Sequence, residues 1–149
     1  MKKPISYFIA TCFALLLVLA SSSCTKYPNG ANLSLRSSAD RLANLWVLDK
    51  YLENGQNRSD SFALQYKDLV WRFGKDNSFD FYGQYKGNAW SRSGDWHFAD
   101  NKQNINLVNQ ASDSTYSFAI LQLREKILWL AQTDSSGIKK EWHLIEKSK

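Results

Sequence analysis

From Leu45 onward apolar and polar residues follow a period of two, broken at short intervals by turn residues. In "WVLDKYLENG" Trp46, Leu48 and Leu52 share a phase with Lys50 between them, and Asn54–Gly55 ends the run as a turn. In "DLVWRFGKDNSFDFYGQYKG" Leu69, Trp71 and Phe73 share one face, and Phe79, Phe81 and Tyr85 share the next, across a hairpin loop at "GKDNS". "WSRSGDWHF" places Trp90, Trp96 and Phe98 in phase, with Asp95 and His97 opposite. "NINLV", "TYSFAILQL", "ILWLAQT" and "IKKEWHLIE" complete the series, the last with Ile138, Trp142 and Leu144 in phase. The pattern predicts eight short strands joined by tight turns. Such a meander avoids exposed edges most simply by closing on itself. The expected fold is therefore all-β: an eight-stranded up-and-down antiparallel β-barrel with a short N-terminal helix. That helix is expected over about Ala39–Asn44, with Ser38 as its N-cap and Asp40 in its first turn.

Ahead of this domain the pattern changes. Lys2 and Lys3 precede an apolar run from Ile5 to Ala20, and Ser21, Ser22 and Ser23 lead to Cys24. Positive, greasy and small-residue segments in that order mark a secretory signal. The greasy part falls short of the roughly 20 apolar residues of a spanning helix. Small residues ending at a cysteine resemble the lipobox of bacterial lipoproteins, with Ser21 where the usual pattern has Leu. The resemblance implies that Cys24 is lipidated and becomes the new amino terminus. Cysteine arithmetic agrees: Cys12 lies within the signal, so Cys24 would have no internal partner. The expected organisation is a signal peptide over residues 1–23, a lipid-anchored tether over 24–37, and a barrel domain over 38–149. In Bacteroidota-type lipoproteins, which this segment resembles, an acidic stretch after the cysteine accompanies export to the cell surface; none follows Cys24, so the resemblance implies the periplasmic face of the outer membrane as the address.

Within the barrel region, Trp46 after a short helix, "LENG", "FGKDNSFDFYG" and "SGDWHFADNKQNINL" resemble the lipocalin-like domains of small Bacteroidota lipoproteins. The resemblance spans roughly Leu42 to Glu146. It departs from the broader lipocalin signature at Asn44, where that signature has Gly. It implies a binding module for a small or lipophilic ligand in the barrel mouth.

Charge narrows the partners. Removing residues 1–23 from the 149 leaves 126 and takes Lys2 and Lys3 with it, so the formal charge falls from +5 to +3. The remaining cations are scattered, without the basic face that nucleic acid requires. His97 and His143 lie out of phase with the aromatic side, and with no third His or further Cys a metal site lacks ligands. No "GxSxG" occurs, and Asp80 and Asp95 fall on the polar phase, so neither a nucleophile nor a carboxylate pair is assembled. No cofactor and no catalysis are expected.

The chain holds six Trp, seven Tyr and eight Phe. They serve either as barrel filling or as a stacking surface, with Trp71, Phe81, Tyr85 and Trp96 as candidate ligand contacts. Lys50, in phase with Trp46 and Leu48, is a candidate for an anionic ligand head or a lysine snorkelling past the rim. The preferred reading is a non-catalytic, lipid-anchored binding module for a small apolar or amphiphilic ligand. The alternative is a filled barrel that docks or inhibits an envelope protein, using Tyr51, Tyr82 or Leu130 on the outward phase.

Overall fold

The computed structural model describes residues 36–148; Cys24, the signal segment and most of the expected tether lie outside them. Helix α1 (Ser38–Leu42) opens the described chain. Its N-cap is Ser37 rather than Ser38, because the Ser37 hydroxyl accepts the Asp40 N–H at 3.1 Å. The helix stops at Leu42, short of Asn44. Asn44 instead leads into the sheet: its Oδ1 accepts the Leu45 N–H at 2.8 Å and its Nδ2 donates to Glu146 at 3.0 Å.

Nine strands follow: β1 (Leu45–Glu53), β2 (Gln56–Asn57), β3 (Tyr66–Phe73), β4 (Ser78–Tyr85), β5 (Asn88–Ala99), β6 (Asn104–Asn109), β7 (Thr115–Leu123), β8 (Ile127–Thr133) and β9 (Lys139–Glu146). Eight are the predicted ones. The two-residue β2 only folds back on β1 across the Asn54–Gly55 turn, where both residues have positive φ, a conformation that Asn and Gly tolerate. The segment after β2 has no readable period, yet it forms helix α2 (Ser59–Gln65), which the sequence reading did not anticipate.

Each strand from β3 to β9 pairs antiparallel with the next, and β1 pairs with both β9 and β3. The sheet is therefore a closed eight-stranded up-and-down barrel. Its seam is asymmetric. β1 runs along β9 from Trp46↔Glu146 to Glu53↔Lys140, but meets β3 only over Leu45–Val47.

The end carrying α1 is filled. Leu42, Trp46, Phe73, Trp96, Ile105, Ile120, Leu123, Leu128 and Leu144 are buried, in one cluster that continues through Phe79 and Leu107 to Trp71, Phe81 and Phe118. Two polar links lock α1 over it: Trp46 Nε1 donates to the Leu42 carbonyl at 2.9 Å, and Arg41 donates to the Leu123 carbonyl at 2.7 Å. Gly94 in β5 is required by close packing, since a Cβ there would sit 1.9 Å from the Val108 carbonyl oxygen and 2.9 Å from Phe79. Every element described lies within residues 38–146.

Removing the indole donor strands a buried carbonyl. Trp46→Phe is expected to lower unfolding free energy by about 1–3 kcal/mol, read as a reduced urea midpoint at unchanged slope. A change below about 0.5 kcal/mol, the scale of an ordinary surface substitution, would show that α1 is held by something other than this bond.

Candidate functional site

The end carrying α2 is built differently. Two β-bulges set which side chains reach the interior. In β1 the register against β9 shifts between Leu48 and Lys50. Past that point the expected phase inverts: Tyr51 turns in and is buried, while Lys50 lies exposed. In β3 the register shifts between Lys67 and Val70, with Asp68 at φ 54°. Gly83 of β4 faces this bulge, and a Cβ there would lie 2.9 Å from the Leu69 Cα and from the Lys67 carbonyl oxygen. Only glycine lets β3 come so close.

Strands β3 to β9, with Phe62 of α2, enclose a partly open cavity of about 450 Å³. Trp71, Phe81, Phe118 and Trp142 form an aromatic box within it: the Trp71 and Phe81 rings stack at 4.4 Å, and Phe118 meets Trp142 edge-on at 5.5 Å. Nearer the rim, Phe62 of α2 packs between Tyr51 and Tyr66, each with ring centroids 4.6 Å away, and Tyr66 continues to Tyr85 at 4.9 Å. Phe62, Tyr66 and Trp142 also border a second recess of about 470 Å³, which Tyr51, Glu53, Arg58 and Lys140 line. α2 thus sits at the rim with one aromatic ring inserted into the wall.

Polar groups are few. Trp71 is buried, and its Nε1–H is one of two buried side-chain polar atoms without a hydrogen-bond partner among the described residues. Arg92 of β5 also lines the cavity, its guanidinium 4.6 Å from the Tyr116 ring and 5.6 Å from the Trp90 ring. Tyr51 donates to Glu53 at 2.8 Å. Burial first, and then that bond, push its phenol well above the usual range, so it stays protonated. Asp134, in the rim hairpin between β8 and β9, accepts from Ser136 and pairs with Lys140 at 2.9 Å. These contacts hold its carboxyl well below the usual range.

The expected ligand contacts therefore separate. Trp71, Phe81 and Tyr85 line one cavity. Trp96 belongs to the filled end, where its Nε1 donates to the Gly74 carbonyl at 3.1 Å and its ring packs against Phe98. Lys50 points outward because of the β1 bulge. Two of the outward docking candidates also change place: Tyr51 is buried at the rim and Leu130 is fully buried, whereas Tyr82 is exposed. Leu130 alternates with Trp129, and it is Trp129 that lies outside, stacked on His143 at 4.0 Å. His143 pairs with Glu141, and His97 lies exposed on another strand. Among the described residues no three His, Cys, Asp or Glu side chains come together as metal ligands.

Sequence reading missed Arg92, Tyr116, Phe118 and Trp142 as cavity residues. Arg92 had a signal: it occupies the in-phase position between Trp90 and Trp96. Phe62 had none, since its helix is a single short segment without periodicity.

No protein-family model matches the chain, and no curated protein is similar to it. Among solved structures, a redesigned β-barrel is 12% identical with a TM-score of 0.44, the match covering 78% of this chain and 100% of that one. Bovine odorant binding protein, in complex with its natural ligand, is also 12% identical with a TM-score of 0.44, over 78% of each chain.

Gly83→Ala introduces a Cβ against the β3 backbone. It is expected to cost about 1–3 kcal/mol by overpacking and to lower the thermal midpoint. Unchanged stability would mean that the bulge at Asp68 gives way without penalty.

Proposed function

We propose that this chain is a non-catalytic, lipocalin-like binding module that takes a small apolar or amphiphilic ligand into the α2 end of its barrel. The observation that carries the reading is the aromatic cavity of about 450 Å³, walled by Trp71, Phe81, Phe118 and Trp142. Its volume falls within the roughly 300–1,000 Å³ of small-molecule sites, which are mostly apolar with a few placed polar groups. Aromatic walls supply stacking area at low entropic cost. A hollow rim also weighs against the alternative of a filled barrel working through its surface, because the aromatic side chains do not close the interior there.

The same reading makes Cys24 the membrane tether in a bacterial cell envelope, on the periplasmic side of the outer membrane. Two or three acyl chains on one cysteine anchor stably, where a single chain holds only marginally. The residues between Cys24 and α1 are rich in turn formers and would let the barrel stand off the bilayer.

Native mass spectrometry of residues 25–149, purified gently from a bacterial host, is expected to show added mass that disappears on denaturation. A clean apo mass, together with no stabilisation by a panel of small amphiphiles in thermal-shift measurements, would sink the ligand-binding reading. For the anchor, the full chain expressed in a Gram-negative host is expected to incorporate labelled palmitate, and Cys24→Ser to abolish it. Undiminished label in the variant would remove Cys24 from that role.

A further inference from the structure

The cations at the α2 end are not equivalent. Lys140 pairs with Asp134 at 2.9 Å, and Arg58 donates to Gln56 at 3.0 Å. Arg92 has neither a hydrogen bond nor an ion pair among the described residues; its contacts are the faces of Tyr116 and Trp90. Those faces hold the partly exposed guanidinium in the cavity wall and leave its N–H donors without a protein partner, open to the cavity and solvent. A guanidinium presents five donors in a planar fork that matches carboxylate, sulfonate or phosphate oxygens. A second unmet donor lines the same cavity, the Nε1–H of Trp71. Buried donors are nearly always paired in native proteins, and an orphan calls for a partner. An indole N–H can only donate, so that partner must be an acceptor. No carboxylate lines the cavity to neutralise Arg92.

From these two unmet donors we infer that the site is built for an anionic amphiphile, a compact apolar or aromatic body carrying one carboxylate, sulfonate or phosphate group that Arg92 receives. The inference rests on the interior-ligand reading above and names its ligand class. The apolar body lies in the box of Trp71, Phe81, Phe118 and Trp142. An acceptor atom of the ligand takes the Trp71 N–H, and the acid group meets Arg92. A neutral ligand of the same shape would leave the guanidinium unsatisfied, so discrimination falls on charge rather than on size.

The test uses two fluorescent probes with the same body, 1-anilinonaphthalene-8-sulfonate and the uncharged N-phenyl-1-naphthylamine, titrated into residues 25–149. The sulfonate is expected to bind at least tenfold more tightly. Arg92→Met is expected to erase that preference while leaving the neutral probe within about twofold, and Arg92→Lys to restore part of it. Circular dichroism and the thermal midpoint of each variant establish that the barrel is intact; should Arg92→Met not fold, Arg92→Gln carries the same comparison. Trp71→Phe is expected to weaken the sulfonate, which carries acceptor oxygens, more than the neutral probe, whose one nitrogen is a donor; equal weakening would remove the Trp71 N–H from the assignment. Equal binding of the two probes, or a preference that survives loss of Arg92, would overturn the anionic assignment and leave the cavity reading standing. Failure of both probes to bind would overturn the cavity reading, and this assignment with it.

Discussion

Closure of β1 onto two neighbours is the constraint on which the molecule depends. A barrel has no edges only if its first strand pairs on both sides, and here the two sides are satisfied unequally. Along β9 the pairing is nearly continuous; along β3 it lasts three residues. At the α1 end the strands stay together and the interior closes around Trp46 and Leu42. Beyond Val47, β1 and β3 part company. β1 takes β2 as a substitute partner at Leu52 and Glu53, and α2 follows it to the rim. Where β1 and β3 separate, Phe62 of α2 packs against Tyr51 and Tyr66.

The aromatic residues divide along the same line. At the α1 end the rings are satisfied internally: the Trp46 and Trp96 N–H groups each find a carbonyl, and Phe73 and Phe98 pack edge-on against Trp96. At the α2 end Trp71 keeps its N–H unpaired, and the rings stack on one another around open space. Interiors normally pack like organic crystals, with few voids larger than a water molecule. Cavity and unmet donor occur together in one part of a single buried cluster and mark where that cluster borders open space.

Electrostatics follow from that geometry. The rim hairpin carries its own ion pair, which occupies Lys140, and the outer wall pairs His143 with Glu141. Arg92 alone among the cavity cations is left to aromatic faces, a position in which a guanidinium keeps its donors while its flat surface stays packed.

Much of the architecture was legible in the chain. Eight period-two runs with turn residues between them leave a closed meander as the economical fold, and the eight strands form where those runs lie, because alternation is a local property of the backbone. Trp71, Phe81 and Tyr85 were legible as interior residues for the same reason. Leu130 was not, because β8 carries apolar residues on both faces, Leu128 and Leu130 inside and Trp129 outside, and neither were Lys50 and Tyr51. A single extra residue in a strand inverts every side chain beyond it, and the bulge in β1 arises from pairing with a strand more than 90 residues away in the chain. Whether Trp96 is core or ligand surface was equally undecidable locally, since it depends on which end of the barrel α1 fills. Sequence alone determined the strands, their turns and the aromatic face. Tertiary structure decided which part of that face is packed and which is left open, because α1 is bonded over one end while α2 reaches the other only as a rim.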